Sequence, residues 1–485
     1  MSELHVPGRI VILGAGSVAQ CLLPLLLDHF SLDPSSVTVL ESRDNRDRLR
    51  SSIERGVHYE TVTIAPDNLV AVLDAHLGDG DLLIDLAWNI GLLELLDWCR
   101  EHNVRYLNTS VEVWDPYDDP AAVAPQDRTL YWRHMALRRQ VARWGSNDGP
   151  SAVVEHGANP GLVSHYVKQG LTEIAAAVLA DGLLSERREA IEQALAAERF
   201  NELSQLLDVR VIHVAERDSQ VSIEPKRVGE FVNTWSVDGF YEEGVAPAEM
   251  GWGTHEKRLP ALALRHEGEG PRNQICLAQM AHQTLVRSTV PSGPIVGMVI
   301  RHGESFTICD HLTVWRDGHA VYRPTVHYAY CPSDAAWASF VELQGAQYAY
   351  PERQRIMNDD IVAGRDELGV LLMGHPYGSW WTGMRTTIDE ARLVAPHQNA
   401  TTVQVAASIL GAVDWLVRAP REGVRVPDEL PWREVLAVAT PYVGTTWSGR
   451  IDWDPVSTRA DWFDQWNGRV LDRDDPWQFT NFQLP

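Results

Sequence analysis

The chain opens with an apolar run, Ile10-Val11-Ile12-Leu13, followed by Gly14-Ala15-Gly16-Ser17-Val18-Ala19 and an apolar helical stretch, Val18–Leu27. From there to about residue 157, short apolar runs alternate with segments of helical period. Val37-Thr38-Val39-Leu40, Tyr59–Ile64, Leu82–Ala87, Arg105–Asn108 and Ala152–Glu155 predict strands. Asp44–Glu54, Asp67–His76, Gly91–Glu101 and Leu130–Trp144 predict helices. The longer connection Thr109–Arg128 is rich in Pro and Asp. Strands separated by single helices predict βαβ units and a parallel sheet. Right-handed crossovers bring the strand carboxyl ends to one edge, where dinucleotides bind. Those ends carry Gly14, Glu41, Asp85 to Asn89, Asn108 to Glu112 and His156 to Asn159.

The pattern changes after residue 157. His156-Gly157-Ala158-Asn159-Pro160-Gly161 leads into a helix predicted over Leu162–Leu171, and proline is tolerated at a helix start because its missing N–H would be unpaired there anyway. Asn159 either caps that helix or turns its amide toward a cofactor. Residues 181–209 read as charged helix. Strand-like runs follow at Val209–Ala215, Val221–Pro225, Thr284–Val290, Val296–Arg301, Phe306–Cys309 and Leu312–Trp315, split by turns. Residues 335–395 mix helix and loop, and His397–Leu416 reads as an amphipathic helix returning to the first domain. The tail from Arg450, rich in Trp and Asp, reads as extended chain over the body. The fold class is α/β: a Rossmann-like parallel-sheet domain at 1–157, an inserted mixed, largely antiparallel α+β sheet domain at 158–395, and a returning C-terminal segment at 396–485.

The first glycine turn carries the clearest chemistry. Gly14 lets the turn tighten, Gly16 allows backbone amides to approach a pyrophosphate, and Ala19 keeps the helix close to the sheet. Ser17 and Val18 begin the helix, whose N-terminus offers unpaired N–H groups and a partial positive charge. Glu41 closes the second strand, where a carboxylate hydrogen-bonds ribose hydroxyls and repels a 2′-phosphate. That favours NAD over NADP, with Arg43 two residues on arguing the other way. The alternative is an ordinary βα turn whose glycines serve packing.

Bulk properties narrow the partners. With 485 residues, 45% hydrophobic and 22% charged, the chain has material for two or three packed units. Its formal net charge of −24 makes nucleic acid and anionic membranes poor partners and draws cationic substrates from a distance. No apolar run reaches the ~20 residues of a spanning helix. The five cysteines stand apart, without metal or disulfide spacing, which suits a reducing cytoplasm. Only Lys168, Lys226 and Lys257 are lysines, so few amines are available for Schiff-base chemistry.

Acids stand beside aromatics through the second domain. Glu216 and Asp218 follow a strand; Trp235 and Asp238 precede Glu242, Glu243 and Glu249; His302 and Glu304 are two apart; Asp366 and Glu367 follow Gly364. On a strand, His302 and Glu304 share a face and can act as a pair. Acids with a tryptophan face suit an alkylammonium, by salt bridges and cation–π attraction. Solvated surface acids and a core tryptophan are the competing readings. A metal is not expected, because no third ligand lies at metal spacing.

Several phrases together resemble the bacterial homospermidine synthases of the saccharopine-dehydrogenase-like superfamily. They are Gly-Ala-Asn-Pro-Gly (157–161), His-Val-Ala-Glu-Arg-Asp (213–218), Val-Asn-Thr-Trp-Ser-Val-Asp-Gly-Phe (232–240), Gly-Trp-Gly-Thr (251–254), Tyr-Arg-Pro-Thr-Val-His-Tyr-Ala-Tyr (322–330), Asp-Glu-Leu-Gly-Val-Leu-Leu (366–372), Gln-Asn-Ala-Thr (398–401) and Asp-Pro-Trp-Gln-Phe (475–479). The resemblance implies a homodimer, a tightly held and recycled NAD, and putrescine as substrate. It implies active-site roles for Asn159, Glu216, Trp235, Glu243, His302, Glu304 and Asp366. Asn89, Thr109, Glu112 and Asn159 are then expected along the cofactor edge. Trp88-Asn89 departs from the pattern, which expects a smaller residue and an acid there, so an amine-binding carboxylate is missing or replaced by an amide. The chemistry implied is oxidation of putrescine to an imine, loss of ammonia, capture of a second putrescine and reduction to homospermidine, with a carboxylate or His302 as base. Alternatives are a saccharopine- or carboxyspermidine-dehydrogenase-like coupling enzyme, or an NAD-dependent polyamine sensor or scaffold.

Overall fold

The computed structural model describes residues 4–114, 122–460, 462–463, 466 and 470–484. The middle of the Pro- and Asp-rich connection and parts of the predicted extended tail lie outside these residues.

Two sheets organise the chain. The first has seven strands in the order Val424–Arg425, Ala152–Val153, Arg105–Asn108, Leu82–Asp85, Ile10–Leu13, Val37–Glu41, His58–Thr61, all paired in parallel. Ile10 to Leu13 are buried throughout, as expected of a strand covered on both faces. The seventh strand comes from the far end of the sequence, so this sheet is completed only when residues 424–425 return. Strands are shorter than the apolar runs suggested: the third ends at Thr61 and the sixth is two residues long. The predicted helix at 44–54 is a 3-10 turn, Arg46–Leu49, followed by one α-turn, Arg50–Glu54. Its row of Arg, Asp and Ser offers almost nothing to bury.

The second sheet has ten strands. Its main path runs Ala263–Arg265, Gln274–Met280, Pro247–Gly251, Thr325–Cys331, Val211–Asp218, Arg365–Met373, Ser379–Thr387, Thr445–Ile451, and the hairpin Leu285–Val290/Gly293–Met298 joins through Met298 opposite Tyr330. Thr325–Cys331 and Val211–Asp218 pair in parallel and the other strands of this sheet pair antiparallel, so the sheet is mixed as expected.

Three expectations for this half are corrected. Residues 335–395 hold two nine-residue strands of the large sheet, Arg365–Met373 and Ser379–Thr387, between Val211–Asp218 and Thr445–Ile451. Leu368–Met373 is a continuous apolar run buried on both faces, which lacks the alternation that marks a half-exposed strand. Phe306–Cys309 is not a strand but part of the helix Glu304–His311. A four-residue apolar run cannot tell one from the other by periodicity. The last long helix runs Ala400–Arg418 and is buried nearly all round rather than amphipathic. It is long and apolar enough to cross a membrane, contrary to the absence of such a run expected above, but 89% of that window is buried inside the protein. It packs on the helix Ser17–His29, on strands Arg105–Asn108 and Ala152–Val153, and on Arg365–Met373 and Ser379–Thr387. A helix wedged between two sheets has no face left for polar residues.

Candidate functional site

The carboxyl edge of the parallel sheet faces the acid-bearing strands of the mixed sheet across one cavity of about 220 Å³. On the glycine-turn side, Gly14 has φ +89°, and a Cβ there would meet the Leu86 carbonyl oxygen at 2.9 Å. Gly16 differs: nothing lies within 4 Å of where its Cβ would stand. That open space sits at the start of the helix Ser17–His29, as a phosphate cradle requires. The buried Ser17 hydroxyl has no hydrogen-bond partner among the described residues. Ala19 is buried against the sheet, and Val18 lines the cavity. Glu41 accepts from the Ala15 N–H at 2.7 Å through Oε2 and from Ser42 N–H at 2.7 Å through Oε1. Oε2 carries that one bond and keeps a lone pair for a ribose hydroxyl. These features fit a dinucleotide.

Thr109, Glu112 and Asn159 line the cavity with them. Asn89, in a left-handed turn with φ +66°, is not among the lining residues; its neighbour Trp88 is. Glu112 accepts from Ser110 Oγ at 2.7 Å, and its Oε2 finds no donor among the described residues. Burial, then the neighbouring Glu242, raises its pKa to about 7. Asp85 ends its strand beneath this edge, accepting from the Tyr106 hydroxyl at 2.9 Å, with burial lifting its pKa to about 7.

Asn159 does not cap the following helix, and Pro160 does not open it. The Asn159–Pro160 bond is cis, Gly161 takes φ +134°, and the helix starts at Leu162. A Cβ on Gly161 would overlap the Gly157 carbonyl. This closed turn frees the Asn159 amide, which donates to Glu216 Oε2 at 3.4 Å.

Glu216 also accepts from the Tyr328 hydroxyl. Strand register explains its other neighbours: Glu216 and Asp218 are two apart on one face, and Asp366 lies opposite Asp218 on the next strand. Burial raises the Glu216 pKa to about 8, with Tyr328 opposing the shift. Burial and the charges of Glu216 and Asp218 push Asp366 well above the carboxylate range. Asp366 Oδ2 accepts from Thr401 Oγ1 at 2.7 Å, while its Oδ1 has no donor among the described residues.

His302 and Glu304 do not alternate on a strand, yet they pair. Gly303 turns the chain into the helix beginning at Glu304, and His302 Nδ1 lies 3.2 Å from Glu304 Oε1. His302 Nε2 lies 3.1 Å from Glu243 Oε2, close enough for an ion pair without linear alignment. Burial opposes an imidazolium there, but Glu304 and Glu243 outweigh it and raise the pKa well above the usual value. The ring tilts against Tyr328 at 4.6 Å.

Trp235 packs against the core and also reaches the cavity. Its ring packs on Phe240 at 5.5 Å, its N–H donates to the Tyr330 hydroxyl at 3.4 Å, and it lines the cavity.

The sequence reading missed several groups. Arg133 and Arg301 both donate to Glu242 Oε1, at 2.6 and 2.7 Å, and Trp88 donates to Glu242 Oε2 at 3.2 Å. Glu242 is thus doubly neutralised. Burial and the charge of Arg301 pull the Arg133 pKa down to about 9. Glu155 has φ +63° and pairs with His134 at 2.7 Å, and Gly303 has no room for a Cβ because Glu155 fills it. Glu249, one of the acids noted in the sequence, accepts from Leu130 N–H at 2.7 Å and Tyr131 N–H at 2.8 Å, capping the helix Leu130–Arg143 from another domain. The positive φ of Glu155 and the meeting of Arg133 and Arg301 at Glu242 leave no trace in the sequence; a glycine directly after His302 was a usable signal.

Five carboxylates line the cavity, against two guanidiniums and one imidazole. The surplus acid and the missing donor at Glu112 ask for a cation that donates hydrogen bonds; Asp366 and Glu304 are buried beside the cavity and do not line it.

The family profile described as "Saccharopine dehydrogenase NADP binding domain" matches residues 10–153, and "Saccharopine dehydrogenase C-terminal domain" matches 157–445. The chain is 38% identical over 486 residues to homospermidine synthase of Blastochloris viridis, covering 98% of this chain and 97% of that one. It is 36% identical over 483 residues to homospermidine synthase of Mesorhizobium japonicum, covering 98% and 96%. The crystal structure of homospermidine synthase from Legionella pneumophila in complex with NAD is 35% identical, with a TM-score of 0.87 and coverage of 100% and 99%. Full-length likeness and an acid-lined cavity between a dinucleotide turn and a mixed sheet agree: the chain belongs to the homospermidine synthase family.

Proposed function

We propose that this protein is an NAD-dependent homospermidine synthase that joins two putrescines with release of one ammonia. The carrying observation is Glu216: a buried carboxyl with a pKa raised by burial to about 8, held by Asn159 and Tyr328 at the wall shared with the dinucleotide edge. Bound NAD supplies a hydride acceptor that returns its hydride within the same cycle. Glu41 favours NAD over its 2′-phosphorylated form by charge.

The chain's residues supply the rest. Putrescine enters as a diammonium, drawn by the acidic surface and by the cavity's excess of carboxylates. Glu243, beside Trp235, holds the distal ammonium. Glu216, ionised, takes a proton from the reacting ammonium and leaves a neutral amine. Loss of a hydride from the amine carbon leaves a protonated imine, Glu216 keeping the proton it took. The second amine adds to the imine carbon, the first nitrogen leaves as ammonia, and a new imine forms. Return of hydride to carbon and a proton to nitrogen gives the secondary amine. His302, fixed as an imidazolium between Glu243 and Glu304, is unsuited to the base role and instead orders the acids. Burial of the site excludes water, which would otherwise hydrolyse either imine.

A dimer in a reducing cytoplasm completes the reading; the five cysteines are buried and unpaired, and light scattering of the purified protein tests the dimer. The decisive assay is putrescine with catalytic NAD⁺: homospermidine and ammonia accumulate without net NADH. Stoichiometric NADH release would instead identify a plain amine dehydrogenase.

A further inference from the structure

The cavity of about 220 Å³ is smaller than the ~300–1,000 Å³ of ordinary ligand pockets. It must hold one diamine and the reacting end of a cofactor. A second cavity of about 700 Å³ lies against it, and Trp88 is the residue that lines both. Trp88 is 43% exposed, while its indole N–H is tied to Glu242, itself clamped by Arg133 and Arg301. A side chain held by this hydrogen bond and lining both cavities stands as the partition between them.

The outer cavity has the walls an alkylammonium needs. Tyr241 and Tyr350 meet edge to face at 5.3 Å, and Met280 and Val245 supply an apolar floor. Asp238 lies in the first turn of the helix Val237–Val245, fixed by the Tyr350 hydroxyl and by Gln354 Nε2 at 2.8 Å. Arg128 lines the same cavity without a side-chain partner among the described residues, and it steers an ammonium toward the Asp238 end.

We propose that Trp88 is a specificity-determining wall and that the outer cavity takes the distal ammonium of the acceptor amine, between Asp238 and the tyrosine faces. This rests on the homospermidine synthase reading and names the acceptor half of the same site. The acceptor's reacting nitrogen passes the indole edge into the inner cavity, while its tail stays outside. The partition therefore sets which acceptor lengths fit.

The test uses the NAD-loaded enzyme with isotopically labelled putrescine as donor and unlabelled α,ω-diamines of three to seven carbons as acceptors, with products ranked by mass. Trp88→Ala shifts the kcat/KM ratio of the six-carbon to the four-carbon acceptor at least fivefold, and Trp88→Phe shifts it less. Asp238→Asn raises the acceptor KM about tenfold, more than it lowers the single-turnover formation of bound NADH from putrescine. Unchanged acceptor ranking in both Trp88 variants, or equal loss of donor oxidation and acceptor capture in Asp238→Asn, overturns the proposal. Single-turnover absorbance separates failures: a wild-type enzyme that forms no NADH from putrescine refutes the functional reading instead. A Trp88→Ala protein that does not fold leaves the decision to Trp88→Phe and Asp238→Asn.

Discussion

His302 shows how much one contact decides. Two carboxylates at 3.1 and 3.2 Å keep it charged, so the proton acceptor must be an acid. Glu243→Gln removes one of them and lowers the His302 pKa, by at least one unit or about 1.4 kcal/mol, read from its imidazole NMR shifts against pH. An unmoved titration would show that Glu304 alone holds the charge. Trp235→Ala removes the aromatic wall beside Glu243 and lowers kcat/KM at least tenfold, about 1.4 kcal/mol and within reach of a cation–π contact, with packing on Phe240 lost as well. Glu41→Ala weakens NAD binding about tenfold or more, about 1.4 kcal/mol, in titration calorimetry. Equal affinity would take Glu41 off the ribose and leave it as a brace for the glycine turn.

Elements matter here chiefly by where they end. The helix Leu130–Arg143 is capped by Glu249 from the mixed sheet, so it links the two domains. Glu249→Gln keeps the shape but replaces one acceptor oxygen by an amide donor facing two N–H groups. The expected cost is ~1–2 kcal/mol in urea unfolding, comparable with loss of an N-cap. A stability within experimental error of wild type would show that the helix end finds other acceptors. The alternation of strand and helix in the first domain was legible because the sheet is regular and its strands read as apolar runs. The hairpin Arg365–Thr387 was not, because a strand buried on both faces and a buried helix present the same unbroken run. The helix at Glu304 hid for the same reason.

Across the whole molecule, buried acids make ligand binding depend on pH. Glu216 has a folded pKa near 8, above its unfolded value, so the native state keeps a proton there that the unfolded chain has lost. Its contribution to stability is full below the unfolded pKa, falls as pH rises toward 8, and becomes a constant cost above. A diammonium pairs with the ionised acid and offsets that cost. Putrescine therefore raises the Tm of the NAD-loaded protein more at pH 8.5 than at pH 6, by several degrees in differential scanning fluorimetry. A larger shift at pH 6 would contradict binding to the ionised acids.

The sequence alone determined the dinucleotide turn, the parallel sheet, the family resemblance and the identities of most acids around the cavity. Those follow from local rules: a glycine turn needs its residues within six positions, and periodicity is a property of neighbours along the chain. Tertiary structure alone decided which acids raise one another's pKa, since Glu216 and Asp366 are 150 residues apart in sequence and their strands pair side by side. It also decided that Arg133 and Arg301 silence Glu242, that His302 is a cation, and that Trp88 rather than Asn89 reaches the cavity. Charge state and access depend on burial and on partners brought from distant elements, and neither quantity is written at any single position of the chain.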